Sequence, residues 1–287
     1  YVRRAVMDYL GSKLAEPLSK PLRLHAGGGC GKTSLICDLP SVLPPGSEIF
    51  IYDCYGGGLF LTSDQKRHLP EQAFIQLGNE LAARLRTPLV IRRQGSIDVF
   101  EAFRNRVTVA AGVLKLRNAS ARLLLCFDAV DNARTGSRHW HEPCFLDLLS
   151  QASAWPDNVR IVVSCRTARR DEVGDKRLYE DFEVPSFDID EVRQLIALWQ
   201  PDWRPELANT FENLTGGNPR RLVYAIKGLP NDGEMQAVER LMPKAEGINP
   251  LFEQRVSEAG KHLGNADKVW QVLDALSRLP RPVPGRI

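Results

Sequence analysis

The chain has 287 residues, room for one α/β domain of roughly 200 residues plus one or two small helical satellites. With 43% hydrophobic and 25% charged residues it can bury a core, which excludes disorder as the default. The 38 basic and 35 acidic residues leave a formal charge of +3, too near balance to specify a nucleic-acid surface, and no apolar run approaches the roughly 18 residues of a membrane span.

Residues 1–14 read as an amphipathic helix, with Val6, Leu10 and Leu14 along one face and Arg3 and Arg4 at its start. A strand over 22–26 leads into a glycine-rich turn and a helix over 32–39. A second strand over 49–55 runs into Gly56, Gly57 and Gly58, which force a loop. Helices are expected over 70–85 and 97–116, with a minor strand, PLVI, at 88–91 between them. LLLCFD at 123–128 is apolar without polar alternation, the pattern of a strand buried on both faces of a parallel sheet. A helix over 145–154 and a further buried strand over 159–165 continue the alternation. The fold class is therefore α/β, a mostly parallel sheet flanked by helices. From Asp190 onward only helices are expected, over 191–199, 206–214, 220–227 and 251–263, forming a lid and the start of a third small domain.

Six cysteines show no CxxC pair, and several sit in apolar runs where a reduced thiol behaves as a small hydrophobe. A reducing, cytoplasmic setting is expected. The start at Tyr1 and the stop at Ile287, just after LPRPVP, lead us to expect the central part of a longer protein, with effector and sensor regions outside it.

AGGGCGKT, Ala26 to Thr33, has the spacing of a phosphate-binding P-loop in its relaxed form, and Ser34 follows it. Gly27, Gly28, Gly29 and Gly31 lack Cβ atoms, so the backbone around Cys30 can curl and point N–H groups at a phosphate. Lys32 would reach the β and γ phosphates of ATP, and the Thr33 hydroxyl would ligate Mg²⁺.

The strand LLLCFD puts Asp128 at the carboxyl edge of the sheet, where it would hold Mg²⁺ through the ion's water shell. Asp131, on the following loop, either orients or deprotonates a water aimed at the γ-phosphate or starts a turn or caps a helix. Arg166, at the end of VVSCRT, either stabilises phosphate charge or pairs with a surface carboxylate. Asp53 also ends a strand on this rim, or bonds backbone in the Gly turn. In LTGGNPRR, Gly216, Gly217 and Pro219 end one helix and start the next. HWHEPC, at 139–144, reads as a polar surface loop, and Trp199 and Trp203 as packing between lid elements.

Taken in order, AGGGCGKT, LLLCFDAVDN, VVSCRT and GGNP resemble the STAND class of P-loop NTPases, of NACHT and AP-ATPase type. YDCYGGG, the following RH and EQAFIQLGNELA resemble prokaryotic STAND ATPases of antiviral defence. The resemblance implies an N-terminal linker helix at 1–20, an AAA+-like P-loop core at 21–189, a helical lid at 190–264 and the start of a winged-helix domain at 265–287. It implies Pro219 and one of Arg3 or Arg4, here taken as Arg4, as nucleotide contacts, slow ATP hydrolysis, and an ADP-locked state released by a protein trigger such as a phage component, with homo-oligomerisation on activation. The first P-loop glycine of that class is Ala26 here. Two other readings stay open: an AAA+ loader-type scaffold that binds DNA, and a small-molecule phosphotransferase.

Overall fold

The computed structural model describes residues 2, 4–16, 18, 20–91, 95–152, 154–199, 207–227, 256–257, 259–261 and 264–278. The chain divides into two compact units, one holding Ala5–Gly28 and Lys32–Val184, the other Tyr1–Arg4, Gly29–Gly31 and Pro185–Ile287.

In the first unit α1 (Val6–Ala15) buries Met7, Leu10, Gly11 and Leu14. The helix expected from residue 1 thus begins later, and its inner face runs through Met7 rather than Val6. Before it, Val2 joins the apolar core of the second unit. Next come β1 (Leu22–Ala26), α2 (Lys32–Asp38), β2 (Glu48–Asp53), α3 (Pro70–Leu85) and α4 (Ser96–Arg117). They are followed by β3 (Leu123–Asp128), α5 (Val130–Trp140), α6 (Phe145–Gln151), β4 (Val159–Arg166), the short α7 (Arg170–Val173) and β5 (Glu180–Glu183). The strands form one sheet in the order β2-β3-β4-β1-β5, and every pairing is parallel.

From β1 the chain passes to the far edge at β2 and returns through β3 and β4, leaving β5 on the other side of β1. A reversal of this kind opens a crevice at the carboxyl ends of the strands. All residues of β1 and β3 are buried, as strands covered on both faces must be. Phe74, Leu77 and Leu81 of α3 and Phe103 and Val107 of α4 cover one face, against Phe50, Leu125, Phe127 and Val163. This is an α/β architecture, a parallel sheet flanked by helices. Among the described residues no helix is long and apolar enough to cross a membrane.

Three elements differ from expectation. PLVI forms no strand: the Val90 N–H donates to the Asn79 side chain at 3.0 Å, and its side chain packs beside Gly78 of α3. The segment after β3 is a helix, α5, rather than a loop. And β5 adds an edge strand, held by Arg23 of β1, whose Nε and Nη2 donate to Asp181 at 2.6 and 2.9 Å.

In the second unit α8 (Ile189–Trp199), α9 (Leu207–Thr215) and α10 (Pro219–Lys227) share a core through Val192, Ile196, Phe211, Leu222 and Ile226. A further helix, α11, covers Ala266–Arg278. Of the helix expected over 251–263, only 256–257 and 259–261 are described, and they are helical; 279–287 and Trp203 lie outside the described residues. Trp199, expected to pack between lid elements, is 45% exposed.

The turn between α9 and α10 needs its two glycines. Gly216 and Gly217 have φ of 61° and 65° and both donate to the Glu212 carbonyl. Gly217 also lies against the Phe187 backbone and accepts from the Phe187 N–H at 2.8 Å, leaving no room for a side chain. Gly217→Ala is expected to destabilise this unit by about 1–3 kcal/mol, from backbone strain and the clash with Phe187. Urea unfolding followed by tryptophan fluorescence checks this, and an unchanged midpoint contradicts it.

Candidate active site

The P-loop leaves β1 at Ala26 and enters α2 at Lys32. Gly29 and Gly31, at φ of 82° and 81°, adopt the left-handed conformation that only glycine takes without strain. Such a turn aligns successive N–H groups, the arrangement that receives a phosphate. The Lys32 ammonium donates to the carbonyls of Ala26 and Gly27, each at 3.0 Å, so the loop holds its own cation close. Ser34 is exposed in the first turn of α2, and Gly28 faces open space.

The register of β3 and β4, which ends at Phe127 opposite Val163, puts Asp128 beside Ser164. Asp128 is 4% exposed. Its Oδ2 accepts from the Thr33 hydroxyl at 2.6 Å, and its Oδ1 accepts from the Ser164 hydroxyl. The two residues expected from sequence to hold Mg²⁺ therefore meet directly. They offer a hydroxyl and a carboxylate, the hard oxygen donors Mg²⁺ prefers when phosphates and waters complete its shell. This oxygen pair, on α2 and β3 beside Lys32, fits the metal of a magnesium nucleotide.

Beyond Asp128 the chain bends at Ala129, whose φ of 56° and ψ of 46° are left-handed. That costs a residue with a Cβ about 1–2 kcal/mol. The bend starts α5 at once and puts Asp131 in its first turn, 1% exposed, with Oδ2 lacking any hydrogen-bond partner. Arg166 Nε lies 3.7 Å from that oxygen, while half of the Arg166 side chain is exposed. Burial pushes the Asp131 carboxyl above its ordinary value of 3.8, against the opposing pull of Arg166, Arg169 and Lys32. A carboxylate made more basic in this way suits proton acceptance from water. Arg166 does pair with a carboxylate, but with the buried Asp131 rather than a surface one.

In the second unit the P-loop residues Gly29–Gly31 keep company with the start of α10. Arg220 donates its N–H to the Gly29 carbonyl at 3.2 Å. Asn218 caps α10 by accepting from the Arg220 and Arg221 N–H groups at 3.1 and 3.2 Å, and its amide nitrogen donates to Cys30 Sγ at 3.4 Å. Pro219 is the first residue of α10. Arg4 is 6% exposed; its guanidinium donates to Glu191 at 3.0 Å, to the Pro185 carbonyl at 2.7 Å and to the Cys30 carbonyl at 3.4 Å, and lies over the Phe187 ring. Arg4 thus reaches the P-loop through its backbone.

Two other candidates resolve into structure. Asp53 accepts from the N–H groups of Tyr55 and Gly56 at 2.8 and 2.9 Å, so it shapes the glycine turn. HWHEPC is partly helical, since α5 runs to Trp140, and its Glu142 accepts from Lys66 and pairs with His68 Nε2 at 2.9 Å.

No model of a known protein family and no curated protein matches the chain. Among solved structures it is similar to the STAND protein PH0952 from Pyrococcus horikoshii, which has a tetratricopeptide repeat sensor, at 15% identity and a TM-score of 0.46 over 90% of this chain. The chain spans about a third of that protein, 32% of its length. It is similar to the Aeropyrum pernix ORC1 protein in complex with DNA at 14% identity and a TM-score of 0.47, covering 89% of this chain and 66% of that one. It is also similar to the FIGL-1 AAA domain in complex with ADP, at 13% identity and a TM-score of 0.42, covering 85% and 78%.

The raised Asp131 carboxyl has a consequence for stability. A group that holds its proton more tightly in the folded state contributes fully below its unfolded value of 3.8, and that contribution is lost as pH rises through the folded value. An asparagine at this position would mimic the protonated acid at every pH. Asp131→Asn is therefore expected to raise Tm at pH 7.5 by more than at pH 4.5. Thermal unfolding across that range checks it, and an equal or reversed difference contradicts it.

Proposed function

We propose that the chain is an ATP-binding switch of STAND type that hydrolyses ATP slowly, its nucleotide state governing self-assembly. The convergence of Thr33 and Asp128 at 2.6 Å, beside Lys32 and the glycine cradle, carries this reading. Thr33 and, through water, Asp128 would hold Mg²⁺, which would supply neutralisation of phosphate charge. Lys32 exchanges the loop carbonyls for β and γ phosphate oxygens. Asp131 accepts a proton from the attacking water, and Arg166 moves from the carboxylate toward the charge growing on the γ-phosphate.

A switch must also report what is bound. Gly29–Gly31 belong to the same unit as α10 and are bonded to Arg220, Asn218 and Arg4. A phosphate that rearranges the loop would be felt by these residues, and Pro219 fixes the backbone where α10 begins. In this reading Arg4 acts on the P-loop carbonyl while Pro219 meets the nucleotide.

Two variants separate binding from turnover. Lys32→Ala removes a charge-assisted phosphate contact and is expected to weaken ATP affinity by about tenfold or more. Asp131→Asn is expected to bind ATP as wild type does, while single-turnover hydrolysis falls by on the order of a hundredfold. Calorimetry and quenched-flow measurements on both decide it. Unchanged hydrolysis in Asp131→Asn would leave that residue a helix starter, and folded wild-type protein that binds no nucleotide would overturn the reading. Tight, salt-dependent binding of duplex DNA by the chain would favour a DNA scaffold instead.

A further inference from the structure

Ser164 is a single hydroxyl among the apolar side chains Val162, Val163 and Cys165 of β4, and it is fully buried. A buried hydroxyl has to find partners, and this one finds two. It donates to Asp128 Oδ1 and accepts the N–H of Ala129 at 2.8 Å. Ala129 is the left-handed residue at which β3 turns into α5. One oxygen therefore fastens both the side chain of the strand's last residue and the backbone of the strained residue after it.

We propose that Ser164 is a positioning residue for Asp128, fixing which carboxylate oxygen faces Thr33 and thereby setting how much Mg²⁺ nucleotide binding requires. The inference rests on the reading of this site as one for a magnesium nucleotide. With Oδ1 held by Ser164, the carboxylate cannot turn about its Cβ–Cγ bond, and Oδ2 stays toward Thr33. Without the Ser164 hydroxyl the carboxylate is free to swing, and the Ala129 N–H loses its partner. Lys32 and the glycine cradle are untouched by that loss. Phosphate binding without metal should therefore persist, while the metal-dependent part weakens.

The test is ATP binding to the 287-residue chain by calorimetry over a series of free Mg²⁺ concentrations, with EDTA as the metal-free limit, for wild type, Ser164→Ala and Ser164→Thr. For Ser164→Ala we expect an affinity in EDTA within about twofold of wild type and a half-saturating Mg²⁺ concentration raised by about tenfold, the loss of one well-placed contact. Ser164→Thr keeps the hydroxyl and is expected to restore the Mg²⁺ requirement to within about threefold. A Ser164→Ala protein with the wild-type Mg²⁺ requirement overturns the proposal, whatever its melting temperature. Equal losses with and without Mg²⁺ also overturn it, since they mark a general fold defect. Should Ser164→Thr fail to fold, the Ser164→Ala comparison of the two limits decides alone. Wild-type protein that binds ATP equally with and without Mg²⁺ overturns it too, whereas wild type that binds no ATP at all fails the underlying reading instead.

Discussion

Asp128 carries a carboxylate only 4% exposed at the end of a strand whose six residues are all buried, and a polar group so placed is tolerated only where hydrogen bonds replace the water it has lost. Two elements supply them. Thr33 comes from α2, directly after the P-loop, and Ser164 from β4, the strand that separates the P-loop strand from β3. The order β3-β4-β1 is thus a condition for the site as well as for the core, because it places a hydroxyl on either side of one carboxylate.

The same junction orders the chain beyond it. Cys54 at the end of β2 donates its N–H to the Asp128 carbonyl at 3.0 Å, and Ser164 holds the Ala129 N–H, so the turn into α5 is fixed from both neighbouring strands. That turn commits Asp131 to a buried position, with Oδ2 lacking a hydrogen bond and held only by the ion pair with Arg166 at 3.7 Å. Backbone strain and a buried carboxylate oxygen without a hydrogen bond gather at this one place, where a reaction would use them.

Much of this was legible in the sequence because the signals are local. β1, β3 and α3 fall where apolar runs and helical spacing put them, since a strand buried on both faces or a sixteen-residue helix with one apolar face leaves a clear pattern. The segment VDNARTGSRHW hid a helix, because Gly, Thr and Asn are weak helix formers and the bend at Ala129 leaves no mark in composition. EDFE hid β5 for a different reason: a four-residue edge strand needs no apolar run when Arg23 reaches across to hold it. PLVI misled in the opposite sense: Val90 alone is buried, beside Gly78 of α3, while Leu89 and Ile91 are exposed. The role of Ser164 depends on the register between two strands, which brings it to a carboxylate 36 residues away, and no spacing along the chain encodes that. The bonds from Asn218 and Arg4 to the P-loop are of the same kind, joining residues 188 and 26 positions apart.

The central claim is that Thr33 and Asp128 form the metal side of a nucleotide site. Its most direct measurement is a crystal structure of the chain with ATP or a slowly hydrolysed analogue and Mn²⁺ in place of Mg²⁺, the ion located by its anomalous scattering. The account predicts one anomalous peak within direct ligand distance of Thr33 Oγ1, with Asp128 Oδ2 a water-mediated contact away and Lys32 on the phosphates. Nucleotide bound with its metal away from both residues would contradict it.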